Sequence, residues 1–571
     1  MFCLGARKCV LNSMSALKLL RSHTASTAGC RFFATKRGVT SAGDGKQETV
    51  IRIPRQMQAR IDNVKQIKGK RLEKVSTTKA GKLLIVSKHS KLNQPASYTL
   101  GKFDRPHLAS EGWKHNKSFG DFFTINSTQK DLPFVTVAGG KEGEEKGVEK
   151  AVTFKSLGLC QELTEALQAM GIVYPTTVQL QTIPKLLKGK NVLCAAETGS
   201  GKTLCYLLPL IHKLSLNRYE RESNSQAPQS VVLVPSRELA DQVKAVAKSL
   251  GAPSGLVVRN VGGGRGIGNV KLAFSGSSPD ILIATPGALW KALRRNYVDL
   301  SDLSCFVMDE ADTLFDESFA ELVESILLQT QVASDPSETV GLGRKAQLVV
   351  IGATFPGGVG ELLKQVTDLG SIVTVKSKRL HHLMPHVKQA FLKVRGAEKL
   401  VELLQIIRTP AAADRDGAGV LVFCNSASTV NWLGYLLDDH GVKHARLQGQ
   451  MPAVMRAGIF NTFQKGLVDV LVCTDIASRG LDTQRVKTVI NYDFPPSHTD
   501  YLHRAGRVGR MGSKSPGSVV SFVTHPWDVE LVQKIETAAR RRASLPGMES
   551  AIHQPSPKAH LTQFDSDVKT E

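Results

Sequence analysis

Residues Asn191-Val192-Leu193-Cys194-Ala195-Ala196-Glu197-Thr198-Gly199-Ser200-Gly201-Lys202-Thr203-Leu204-Cys205-Tyr206-Leu207-Leu208 pass from one apolar run, through a Gly-rich turn, into another. The first run is short enough for a buried strand, and the turn opens onto a helix start. This is the context of a phosphate-binding loop. Backbone N–H groups from Ala196, Glu197, Thr198, Gly199, Ser200 and Gly201, with the positive end of the helix, form a cradle for phosphates. Lys202 would reach the terminal phosphates and the Thr203 hydroxyl would take Mg²⁺. Ala196 stands where the general pattern has Gly, but the glycines that make the turn are present. Taken alone, the segment also suits an ordinary strand-to-helix turn.

A second stretch decides between the two. Leu303-Ser304-Cys305-Phe306-Val307-Met308 is strand-like and runs into Asp309-Glu310-Ala311-Asp312, about a hundred residues downstream. An Asp at the end of a buried strand can hold Mg²⁺, usually through water, and an adjacent Glu can take a proton from the attacking water. Asp309 and Glu310 fit those roles in that order, which makes Lys202, Asp309 and Glu310 candidate catalytic residues, with Thr203 and Asp309 as metal ligands. A solvated acidic loop would leave the upstream turn unexplained.

Composition narrows the partner. The 571 residues carry a net charge of +23, which points to a polyanion. Residues 1–150 hold 28 Lys and Arg against 12 Asp and Glu, leaving +16 there and only +7 in the rest. An excess concentrated outside the catalytic motifs suits an electrostatic nucleic-acid arm. The nine cysteines show no C-x-x-C pair and no His partner spacing, which argues against structural zinc and suits a reducing compartment. No apolar run approaches the roughly 20 residues that cross a bilayer, so a soluble protein without membrane insertion is expected.

Residues 1–43 contain seven Lys and Arg and no acid before Asp44. This is the composition of a mitochondrial transit peptide, with Arg31-Phe32-Phe33-Ala34 resembling a processing site. A basic tail that stays in the cytosol or nucleus is the alternative. Residues 44–150 mix Lys-rich, Gly-rich and acidic pieces without sustained periodicity, so a basic, flexible extension acting as an RNA- or partner-binding arm is expected. From 152 to 375, and again from 385 to 545, short Val/Leu/Ile runs alternate with helical patterns. They predict two tandem α/β domains built on parallel sheets, followed by a short tail, 546–571.

Over roughly residues 152–545 the chain resembles the DEAD-box RNA helicases of superfamily 2, whose motifs occur here in family order. Gly171-Ile172-Val173-Tyr174-Pro175-Thr176-Thr177-Val178-Gln179 is similar to the adenine-reading motif, with Phe154 at 17 residues upstream of its start. The resemblance implies that Gln179 reads the adenine edge while Phe154 stacks on the base, and that the nucleotide is ATP. Pro235 and Arg237, Gly262 and Gly263, and Thr285, Pro286 and Gly287 match segments that hold the RNA backbone. So do Asn425, Gly449, Arg456 and Thr474 in the second domain. Asp482 is expected on the ATP ribose. Arg507 and Arg510, from His503-Arg504-Ala505-Gly506-Arg507-Val508-Gly509-Arg510, would enter the nucleotide site on domain closure and stabilise charge on the γ-phosphate.

Two positions depart from the family pattern. Ala288 replaces an Arg, which removes a charge from one RNA loop. The Ser-Ala-Thr triplet is Gly352-Ala353-Thr354, which removes a hydroxyl expected to bond Asp312. Asp312, Gly352, Thr354 and His503 are therefore the residues on which coupling of hydrolysis to strand opening turns. The resemblance implies two RecA-like domains with a monomeric core, acting as an RNA-dependent ATPase and helicase on single-stranded RNA or short duplexes with little sequence preference. With a transit peptide, mitochondrial matrix ribosomal RNA and large-subunit assembly proteins are the expected partners. A nuclear or nucleolar helicase and an ATP-gated RNA clamp with weak unwinding are the alternatives.

Overall fold

The computed structural model describes residues 82–101, 104–128, 152–216, 227–263, 271, 274, 278–301, 303–316, 318–340, 344–354, 359–408, 418–475, 485–510 and 517–546. The expected transit peptide, residues 44–81 and 129–151 of the extension, Asp482 and nearly all of the C-terminal tail lie outside them.

Three strands come first: β1 (Leu83–Ser87), β2 (Gln94–Pro95) and β3 (Phe122–Ile125). The first lobe contributes β4 (Val192–Ala195), β5 (Ser230–Leu233), β6 (Val258–Val261), β7 (Ile281–Ala284), β8 (Cys305–Met308), β9 (Gln347–Gly352) and β10 (Val373–Lys376). These seven form a parallel sheet in the order β10-β4-β9-β8-β5-β7-β6. Every residue of β4, β5, β7, β8 and β9 is buried, because helices cover both faces of the sheet and leave no polar face in the strand sequence. Alternate residues feed opposite cores. Val192 and Cys194 pack on one face, Leu193 and Ala195 on the other.

The second lobe contributes β11 (Lys388–Lys393), β12 (Gly419–Phe423), β13 (His444–Leu447), β14 (Val470–Cys473), β15 (Val486–Asn491) and β16 (Ser518–Val523). They lie parallel in a nine-stranded sheet, β13-β14-β12-β15-β16-β11-β3-β1-β2. The two parallel-sheet α/β domains expected from the sequence are therefore present.

The expectation of a flexible extension needs correction for residues 82–128. They fold onto the second lobe, where β3 pairs antiparallel with β11 and β1 pairs with β3. Phe123 stacks on Phe391 with ring centroids 4.7 Å apart, and Trp113 packs on Phe123 at 5.5 Å. The helix Asp528–Arg541 fastens the same segment. Its fully buried Glu536 accepts from the backbone N–H of Ala109 (2.7 Å) and Ser110 (3.0 Å) and from Arg540, while Arg540 Nη2 donates to Leu92 O. These partners lie more than 250 residues away in sequence, so local periodicity could not reveal them.

Candidate active site

The P-loop leaves β4 at Ala195 and enters the helix Lys202–Leu216. Gly199 and Gly201 take φ of +80° and +84°, a left-handed conformation that a side chain disfavours. Gly201 is also constrained by space, since a Cβ there would lie 2.6 Å from Gln179 Nε2. Lys202 Nζ lies inside the loop, donating to Ala196 O (2.7 Å) and Glu197 O (3.1 Å).

Gln179 and Phe154, which the family resemblance assigns to the adenine, both have protein partners. Gln179 Oε1 accepts from Thr176 N at 2.8 Å, and its Nε2 donates to Gly201 O at 3.1 Å. The amide that was expected on an adenine edge thus ties its own helix start to the P-loop. Phe154 is 3% exposed and packs among Leu159, Leu163, Val178 and Ile183, so its ring belongs to the core.

Asp309 follows β8 and is buried beside the loop. Burial pushes its carboxyl up to about 6, with Glu310 adding to the shift and Lys202 and Tyr206 opposing it. Tyr206 was not singled out from the sequence. Its hydroxyl donates to Asp309 Oδ2 at 2.9 Å. The spacing held the clue: Tyr206 lies three residues after Thr203, on the same helix face. Glu310 has φ +52°, a strained conformation for a residue with a side chain, and its N–H donates to Asp309 Oδ1 at 2.9 Å.

The second lobe meets this site through the helix His498–Ala505 and the residues after it. His503 Nε2 lies 3.0 Å from Asp312 Oδ2. Thr354 donates to the same oxygen from its backbone N (3.3 Å) and its hydroxyl (3.2 Å). Asp312 therefore has a hydroxyl partner despite Gly352. Burial alone would raise the Asp312 pKa, but His503, Lys202 and Thr354 outweigh it and hold the carboxyl at about 2. Gly506 faces the P-loop so closely that a Cβ on it would fall 1.7 Å from Thr198 Oγ1. Arg510 lies against Gly199, and Arg507 is buried with Nε donating to His503 O at 3.2 Å.

Arg504 is a second residue that sequence reasoning passed over. Fully buried, it forms two bonds to the Asp475 carboxylate (2.6 and 2.7 Å), one to Asp493 O (2.8 Å) and one to Asn425 Oδ1 (2.7 Å). Asn425 Nδ2 donates in turn to Phe494 O. Both ends of the Asn425 amide are thus committed within the second lobe, and this residue orients the Arg504 hub.

A groove of about 490 Å³ lies between the lobes, lined by Pro235, Arg237, Gly263, Thr285 and Gly287 from the first and by Arg456 and Asp475 from the second. It gathers into one surface most of the segments proposed from the sequence to hold a phosphate backbone. Arg456 Nε and Glu238 Oε1, 3.0 Å apart, bridge the lobes across it. Gly263 N donates to Thr285 Oγ1 at 3.2 Å. Gly262 leaves room for Arg237, whose Cγ would lie 2.7 Å from a Cβ at that position. Ala288 is buried, so the departure there takes a charge away from this region and adds a core methyl. Thr474 is half-buried and Gly449 exposed at the ends of β14 and β13.

A P-loop on a buried parallel sheet, an acidic pair at a neighbouring strand end and an arginine-bearing helix of a second such lobe set against the loop define a two-lobed nucleoside triphosphatase. Residues 176–362 match the DEAD/DEAH box helicase family, and residues 397–512 match the helicase conserved C-terminal domain. The chain is 51% identical over 532 residues to the human probable ATP-dependent RNA helicase DDX28, covering 92% of this chain and 96% of that protein. It is 32% identical over 415 residues to DEAD-box ATP-dependent RNA helicase 39 of Arabidopsis thaliana, covering 72% and 65%. The chain belongs to the DEAD-box ATP-dependent RNA helicases. Its fold is similar to that of DEAD-box helicase Mss116 bound to ssRNA and UDP-BeF (TM-score 0.60, 23% identity, 72% of this chain and 82% of that one). It is also similar to Saccharomyces cerevisiae Dbp5 bound to RNA and ADP BeF3 (0.56, 23%, 68% and 93%).

Proposed function

We propose that this protein uses ATP to remodel RNA in the mitochondrial matrix, with ribosomal RNA and large-subunit assembly proteins as its partners. The observation that carries the catalytic part is the contact of His503 with Asp312 beside Gly506 on Thr198. It brings the segment that carries Arg507 and Arg510 to the phosphate loop, with Arg510 beside Gly199. RNA lying in the groove between the lobes favours the same closed arrangement, so RNA and ATP bind cooperatively.

In this reading Lys202 leaves its loop carbonyls for the terminal phosphates, Glu310 takes the proton of the attacking water, and the two arginines stabilise charge on the γ-phosphate. The Thr203 hydroxyl and the Asp309 carboxylate are hard oxygen donors, a pair suited to Mg²⁺, and Tyr206 holds the carboxylate. When bound there, Mg²⁺ neutralises phosphate charge. The Thr354 and His503 bonds to Asp312 support coupled unwinding over a clamp. Asp482 is assigned to the ribose by family motif alone.

The matrix assignment rests on the acid-free basic residues 1–43. RNA-stimulated ATPase assays test the catalytic reading: Lys202→Ala should lose ATP binding, and Glu310→Gln should keep ATP and RNA while hydrolysis stops. Equal hydrolysis by Glu310→Gln and the parent would refute the base assignment. A C-terminally tagged full chain with sequencing of crosslinked RNA tests the rest. Matrix signal with ribosomal RNA is the expected result, and nuclear or nucleolar signal would discard the transit peptide.

A further inference from the structure

We propose that the second lobe carries a stacking platform for single-stranded RNA, distinct from the groove and built around Trp527. The inference rests on the RNA-binding reading above and extends it. Trp527 is 73% exposed. Its ring lies parallel to His525, with centroids 4.3 Å apart and planes within 6°. One face of the indole is held by the imidazole, which orients the ring and leaves the opposite face for a flat partner. Exposed aromatics oriented in this way bind unpaired bases without regard to sequence.

Cations lie on neighbouring segments. Lys393 Nζ and the Arg395 guanidinium each lie 5.3 Å from the centroid of Phe119. Lys393 Nζ also donates to Thr524 O at 2.9 Å, fastening the Phe119 loop to the His525–Trp527 turn. Lys114 and Lys117 are exposed on the same loop. The neighbouring acids are engaged: Asp528 accepts from His525 N (3.0 Å), Glu530 pairs with Lys534 (2.7 Å) and Asp121 with Lys88 (2.9 Å). An exposed ring face with cations on neighbouring segments matches bases joined by phosphates.

Position supports the same occupant. β14, β12, β15, β16 and β11 run parallel, so their C-terminal ends share one edge of the sheet. The groove reaches that edge at Asp475, after β14. His525 and Trp527 follow β16, three strand steps along, or roughly 14 Å. A strand leaving the groove along this edge would arrive at the platform. Residues 115–120, which supply Phe119, come from the segment that the second lobe adds to its sheet. The platform is therefore assembled from two distant parts of the chain.

Fluorescence anisotropy with the full-length protein, a non-hydrolysable ATP analogue and labelled oligouridylates of about 6 and about 20 nucleotides tests the proposal. Trp527→Ala should weaken the long RNA on the order of tenfold and leave the short one unchanged. Arg395→Ala should weaken the long RNA and reduce the salt dependence of its binding. Arg456→Ala, in the groove, should weaken both lengths. Parental affinity for the long RNA in both Trp527→Ala and Arg395→Ala, with unchanged thermal unfolding midpoints, would overturn the platform. If Arg456→Ala binds both lengths normally while Trp527→Ala loses the long one, the groove reading fails and the platform stands.

Discussion

Tyr206 shows how one hydroxyl can set the geometry of an acidic site. Asp309 is buried and its carboxyl is pushed up to about 6, so the ionised form there depends on its donors. The Tyr206 hydroxyl supplies one of them. Tyr206→Phe keeps the ring and removes that bond. A hydrogen bond to a charged group contributes about 1.5–3 kcal/mol, so RNA-stimulated turnover should fall about tenfold or more. The Mg²⁺ concentration for half-maximal nucleotide binding, measured with a fluorescent ATP analogue, should rise. An unchanged Mg²⁺ dependence would show that the tyrosine only fills space. Asp312, held at about 2, has the opposite sign. Its stabilising contribution is complete above the ordinary carboxylate value and disappears only as pH falls toward 2. On the acid side, lobe closure should therefore weaken as pH falls from the ordinary carboxylate range toward about 2. Asp312→Asn should weaken closure, as read by an interlobe fluorescence distance, at neutral pH.

At the scale of elements, the parallel strands were visible in sequence because burial on both faces writes a continuous apolar run, as in Val231-Val232-Leu233 or Leu348-Val349-Val350-Ile351. The added strands are as short: β1 is a lone apolar run and β3 alternates in burial, and both lie within polar, basic sequence. Their stability comes from pairing with β11 and from Glu536 in the helix Asp528–Arg541. Removing one partner of a buried ion pair leaves the other charge unmatched, at about 3–5 kcal/mol. Glu536→Ala exposes Arg540 and the Ala109 and Ser110 N–H groups to that loss, and should lower stability by this amount in chemical denaturation. Proteolytic cleavage within residues 82–128 should increase in parallel. Loss of a few tenths of a kcal/mol would mean that the segment is attached by its aromatic contacts alone.

For the whole molecule, closure depends on backbone approach as much as on charge. Gly506 presents a bare backbone to Thr198, and a Cβ there would lie 1.7 Å from the threonine hydroxyl. Gly506→Ala should keep the lobes apart while leaving each lobe folded and ATP still bound to the first. The expected outcome is a drop in RNA-stimulated ATPase of more than tenfold, above about 1.4 kcal/mol, with little change in nucleotide affinity without RNA. Wild-type stimulation in this variant would mean that the lobes engage differently during turnover.

The sequence by itself determined the two parallel-sheet lobes and the phosphate loop with its carboxylates. These features are local, because strand burial, turn glycines and motif spacing are written in consecutive residues. Tertiary structure decided where shared atoms are spent. Gln179 bonds the P-loop at Gly201, Asn425 bonds Arg504, and Phe154 enters the core, since a side chain with several possible partners is settled only by what folding brings beside it. The same holds for residues 82–128, which lack a sheet of their own and become ordered through β11 and Glu536, partners supplied by the other end of the chain.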